Sequence, residues 1–101
     1  MHFNRLRALV TVIDQGSFSQ AARLLGISQP AISQQIKALE EALGATLIER
    51  HVEPVRATAA GRIAYQQARS ILSLWNETVA QIRQLQERTT GRLTLGASTV
   101  P

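Results

Sequence analysis

Apolar residues recur along this chain in three short helical stripes and one long one, and the breaks between them fall at glycine, serine or threonine. Phe3, Leu6, Leu9, Val10 and Ile13 form the first stripe, with Arg5, Arg7 and Asp14 turned away from it, and Gly16 marks its end. A second, shorter helix is predicted after Ser17 or Ser19, whose hydroxyl can accept a bond from a free backbone N–H; Ala21, Ala22, Leu24 and Leu25 supply its buried side before Gly26. The third opens at Ser28, with Pro30 tolerated in a first turn whose N–H groups have no intrahelical partner. Ile32, Ile36, Leu39 and Leu43 then fall on one face, and Pro30, Ser33, Gln34 and Lys37 lie on or near the opposite one, until Gly44 closes the helix.

Beyond Gly44 the pattern alternates, which predicts two brief strands, Thr46 to Glu49 and Val55 to Ala57, with a turn at His51 to Pro54. Thr58 then caps a segment free of Gly and Pro from Arg62 to Thr90 that reads as one extended helix. Ala64, Ala68, Ile71, Trp75, Thr78, Ile82 and Leu85 alternate steps of four and three along it, and Leu72 and Val79 broaden the stripe. Such a stripe can pack on its own domain. A helix of this length is roughly 45 Å long, however, more than a three-helix unit can cover. The expectation is therefore a homodimer interface made of Ala64, Ala68, Ile71, Leu72, Trp75, Val79, Ile82 and Leu85. At Leu93 and Leu95 the period changes to two, so residues 91–101 are expected to be a hinge at Gly91 and the first strand of a further domain.

The segment from Ser17 to Gly44 has the layout of a helix-turn-helix, with Ala22 where two helices touch, Gly26 in the turn and Ile32 as the apolar anchor of the second helix. The outer face of that helix holds small residues, amides and one lysine, while Glu40 and Glu41 are held back to its C-terminal half. A merely solvating face would more often interleave Glu with Lys. The net charge of +4 favours an acidic partner, nucleic acid being the commonest. No cysteine is present, and His2 and His51, the only histidines, are not placed for a metal site or a Ser-His dyad, so neither an enzyme nor a cofactor is expected in this fragment. No apolar run approaches the ~20 residues of a membrane span, and no signal peptide is read, which makes the cytoplasm the expected location.

The stretch GSFSQAARLLGISQPAISQQIKALEEALGATLIER, followed by T-x-A-G at Thr58 to Gly61, resembles the N-terminal DNA-binding domain of a LysR-type transcriptional regulator. The resemblance joins the helix-turn-helix to LE-x-x-LG at Leu39 to Gly44 and L-x-x-R at Leu47 to Arg50. It implies a mostly α fold: a winged helix-turn-helix over residues 1–60, with the helix-turn-helix at about 18–37, and a linker helix over 58–90 that pairs antiparallel in a homodimer. A tetramer in the full-length protein and a small-molecule effector bound by an absent C-terminal domain follow from the same resemblance. It gives Gln29, Pro30, Ser33 and Gln34 the groove-facing role on an imperfect inverted repeat of double-stranded DNA, Lys37 a phosphate, and Arg50 a place at the wing. Ala31 beside a thymine methyl, Ser17 and Ser28 at helix N-termini and Arg56 on the wing complete the candidate DNA-binding set. The chain departs from many family members at Ile48 (often aromatic), Glu53 (often basic), Gln34 (often arginine) and Ala57 (often leucine). Two other readings fit parts of the pattern: a different winged-helix regulator, and a helical dimerisation or adaptor module that does not bind DNA.

Overall fold

Three of the four helices begin at a side-chain hydroxyl. In the computed structural model, which describes residues 3–90, α1 is Phe3–Gln15, α2 Phe18–Leu25, α3 Gln29–Leu43 and α4 Ala59–Thr90, with two short strands, β1 (Ile48–Glu49) and β2 (Arg56–Ala57), between α3 and α4. Ser17 accepts from the Gln20 N–H at 3.1 Å, Ser28 from the Ala31 N–H at 3.2 Å, and Thr58 from the Gly61 N–H at 3.0 Å. Each hydroxyl satisfies an amide that the helix itself leaves unbonded. Gly26 ends α2 at φ 70°, ψ 30°, a left-handed conformation that a Cβ would penalise, and so turns the chain into α3.

α1 lies at the centre of the molecule, packed on α2, α3 and α4. Ala8, Leu9 and Val12 are fully buried and join Ala21, Ala22, Ile32, Ile36, Leu39, Leu47, Ile48 and Val55 in one core. Ala8 and Val12 stand outside the predicted apolar stripe. The reason is that α1 is covered on two sides, and the stripe accounts for only part of its circumference. Asp14, expected to face away, instead accepts a 2.5 Å hydrogen bond from the Tyr65 hydroxyl of α4. Phe3, about three turns earlier on that same side, meets Trp75 with ring centroids 5.1 Å apart.

Two leucines assigned to buried faces are exposed instead, Leu24 at 63% and Leu43 at 56%. At 100° per residue Leu24 falls outside the arc of Ala21, Ala22 and Leu25, and Leu43 is the last residue of α3, past the stretch that α1 covers. The strands pair antiparallel with Ile48 opposite Ala57 and Glu49 opposite Arg56, and they are shorter than predicted. Their neighbours are bonded elsewhere: the Leu47 carbonyl accepts from Thr58 N–H at 3.0 Å, and Val55 N–H donates to the Gly16 carbonyl at 2.9 Å. The turn between them includes a cis Glu53–Pro54 peptide.

Thr58 and Gly61 fix where α4 departs. The Thr58 hydroxyl donates to the Thr46 carbonyl at 2.6 Å, and Gly61 lies so close to β1 that a Cβ there would come within 1.9 Å of the Leu47 carbonyl oxygen. The T-x-A-G motif is thus a joint between the wing and the long helix. Along α4, Ala68 is 1% exposed within the single chain, which corrects its assignment to a dimer interface, and Ala64 is half-buried against the core. The domain's own α1 covers this first part of the stripe. Ile71, Leu72 and Val79 are half-buried, while Trp75, Ile82 and Leu85 are exposed at 45%, 51% and 60%. The expected hinge at Gly91 and the strand around Leu93 and Leu95 lie outside the described residues.

Candidate nucleic-acid interface

The burial of Ile32, Ile36 and Leu39 determines which side of α3 is left outward. Gln29, Pro30, Gln34 and Lys37 are exposed, and Ala31 and Ser33 are half-buried on the flanks. Gln29, Gln34 and Lys37 have no side-chain partner among the described residues, so their amides and ammonium are available to a ligand. The first turn of α3 contains no acid, which leaves the partial positive charge of its free amides uncompensated. Glu41 is the exposed acid further along. The result is a convex ridge of donors and acceptors with its positive end at the N-terminus.

Two of the predicted contact residues have their hydroxyls engaged in capping. Ser28 caps α3, and Ser17 caps α2 while also sharing a 3.0 Å hydrogen bond with the Ser19 hydroxyl. They orient the helix N-termini.

The wing arginines differ from each other. Arg56 lies across the ladder from Glu49, 3.9 Å away, with both side chains largely open to solvent at 65% and 46%. An ion pair so exposed is weak, and Arg56 remains free to swing toward a phosphate. Arg50 is held inside the chain instead: one guanidinium nitrogen is 3.2 Å from Glu40 Oε1, the other 3.4 Å from Ser33 Oγ, and its carbon stands 5.3 Å above the Phe18 ring. The guanidinium expected at the wing is thus bonded within the chain. Sequence reasoning missed Glu40 as the organising group. Its Oε2 also accepts from the N–H of Leu47 at 2.8 Å and of Ile48 at 3.4 Å, tying α3 to β1. Of the two adjacent acids in this stretch, Glu40 and Glu41, Glu40 lies on the helix side nearer the apolar face, and that was the available signal.

On the far side of the domain, Tyr65 links α1 to α4. Its phenol is held above its ordinary value, first by the hydrogen bond it donates to Asp14, with burial raising it further; the hydrogen bond from Arg69 acts the other way. No helix among the described residues is long and apolar enough to cross a membrane.

Residues 3–62 match the family described as bacterial regulatory helix-turn-helix protein, lysR family. The nitrogen assimilation regulatory protein nac of Escherichia coli (strain K12) is 38% identical over 96 residues, which are 95% of this chain and 32% of that one, so the chain spans about a third of this relative. Among solved structures, the BenM DBD in a complex with benA site 1 DNA superposes with a TM-score of 0.81 at 40% identity, covering 84% of this chain and 96% of that one. The CbnR DBD in its DNA complex gives a TM-score of 0.79 at 36% identity, covering 84% and 98%.

Proposed function

Since the chain belongs to the lysR family of bacterial regulatory helix-turn-helix proteins and is a DNA-binding domain of that kind, we propose that it binds an imperfect inverted repeat as a homodimer, with one α3 in the major groove of each half. The observation that carries this reading is the outward set on α3, whose amides and ammonium are unengaged while the buried side is locked into the core. A major groove about 12 Å wide admits an α-helix. Gln29 and Gln34 present amides that pair bidentately with adenine, Pro30 and Ala31 offer apolar contact to a thymine methyl, and Lys37 neutralises a phosphate. Binding is the proposed activity, with no chemical step.

The dimer in this reading forms through the distal part of α4. Leu72, Trp75, Val79, Ile82 and Leu85, with Ile71 at the edge, continue the apolar stripe where the single chain leaves it half-buried or exposed. A two-fold pair would set the α3 helices about 34 Å apart, or a multiple of it, to meet successive grooves. Control by a small-molecule effector, acting through sequence outside these residues, belongs to the same proposal, as does a cytoplasmic location.

Footprinting on a bound duplex tests the assignment. Gln29→Ala and Gln34→Ala are expected to weaken binding and relax base preference, by about 1–3 kcal/mol for each lost bidentate pair. If neither affinity nor preference changes, the groove assignment is wrong. Sedimentation tests the dimer: a stable monomer, with Trp75→Ala without effect on assembly, would remove it.

A further inference from the structure

Arg50 is the residue whose position differs most from what a wing cation would need. Its guanidinium bridges Glu40 and Ser33 on α3 while lying over Phe18 of α2, and the Glu40 side chain it meets is only 15% exposed. Both arms of the fork are therefore used within the chain. Arginine has donors only, so its bond to Ser33 takes a lone pair of the hydroxyl and leaves the proton to be placed elsewhere. Two hydroxyls on this chain's helices donate back to the carbonyl one turn earlier, Thr78 to Leu74 at 2.8 Å and Thr89 to Leu85 at 2.9 Å. Ser33 makes no such bond among the described residues; its partner is Arg50.

We propose that Arg50 is a positioning residue which, braced by Glu40, turns the Ser33 hydroxyl outward as a hydrogen-bond donor, so that α3 reads an acceptor at that point of the DNA. This rests on α3 being the groove-reading helix. The acceptors available there are purine N7, guanine O6 or thymine O4, and the exocyclic amino groups of adenine and cytosine are disfavoured. The geometry also links the wing to base preference, because the Glu40 that holds Arg50 also binds the backbone of Leu47 and Ile48. Arg50 then supplies no phosphate contact of its own.

The test uses residues 1–101 and a duplex selected by that protein from a randomised pool, with base-substituted versions of it. Ser33→Ala identifies the base pair that Ser33 faces. Arg50→Ala and Arg50→Lys are each expected to relax preference at that same base pair by about fivefold or more, the lower end of one base-edge contact. The slope of log affinity against log salt should stay at its wild-type value in both. Arg50→Lys retains a charge beside Glu40 but lacks the fork, so it keeps the question answerable if Arg50→Ala melts. A direct phosphate contact gives the opposite pattern: Arg50→Lys binds like wild type, and Arg50→Ala lowers the slope by about 0.9. That pattern, or an unchanged preference in both variants, overturns the brace. Gln34→Ala and Lys37→Ala are the separate control; if they too bind as wild type, the groove reading falls and takes the brace with it.

Discussion

Gly61→Ala should unfold this domain at a much lower temperature, although alanine is the better helix former. Gly61 lies in the first turn of α4, where an added Cβ would meet the Leu47 carbonyl oxygen at 1.9 Å, its carbon at 2.9 Å and the Ala57 Cβ at 3.2 Å. Two of the three atoms are backbone, so no side chain can rotate out of the way. Real Cβ contacts essentially never fall below 3.0 Å, and α4 and β1 must part by about an ångström to reach that separation. The opening breaks the two bonds that close the joint, Thr58 N–H to Leu47 at 3.0 Å and Thr58 hydroxyl to Thr46 at 2.6 Å.

Overpacking costs about 1–3 kcal/mol and each lost bond about 0.5–1.5 kcal/mol, against a gain of about 1 kcal/mol in helix propensity. A net loss of about 1–5 kcal/mol follows, and its central value of about 3 kcal/mol corresponds to a fall in Tm of about 12–24 °C for a domain of this size. Gly26→Ala is the internal reference: nothing lies within 4 Å of its added Cβ, and the cost is that of a left-handed φ of +70° alone, about 1–2 kcal/mol. Thermal unfolding followed by circular dichroism, at one protein concentration because assembly shifts apparent stability, compares the two. If Gly61→Ala melts at or above Gly26→Ala, the reasoning from close approach is refuted.

Lys37→Ala should lower the salt slope of DNA binding by about 0.9 while leaving base preference unchanged, as a phosphate contact requires; an altered preference in a selection experiment would give Lys37 a base-reading role instead. Tyr65→Phe should change the pH dependence of stability on the alkaline side. The phenol is raised above 10.0 in the folded chain, so its contribution is present in full below the unfolded value and is lost as pH rises through the folded one. Urea midpoints measured from neutral to strongly alkaline pH should therefore fall more steeply for the wild type than for Tyr65→Phe, and parallel curves would show that the Asp14 bond contributes nothing.

What the sequence made legible were features decided within a few residues. The hydroxyl caps at Ser17, Ser28 and Thr58, the left-handed Gly26 and the period of α3 through Leu39 are local, and the structure has each where the pattern predicts it. What escaped were contacts between distant segments. The stripe along α4 is continuous in sequence, and nothing in its spacing tells Ala64 and Ala68, covered by the chain itself, from Ile82 and Leu85, which are exposed. Arg50 was assigned by its place beside a turn, whereas its surroundings come from Ser33 and Glu40, 17 and 10 residues away. Tyr65 and Asp14 are 51 residues apart and carry no shared motif. Gly61 was legible only as a helix-start residue, because the carbonyl it must admit belongs to Leu47.

The central claim is that the outward face of α3 reads bases, and Gln34 is where it is most exposed to test. Selection of duplexes from a randomised pool, by the wild type and by Gln34→Arg in parallel, measures this directly. The account predicts two related half-sites in inverted orientation for both proteins. A change should be confined to one base pair of each half, moving toward guanine in the arginine variant because its fork matches guanine N7 and O6. No enriched sequence, or identical sequences from the two proteins, would contradict it.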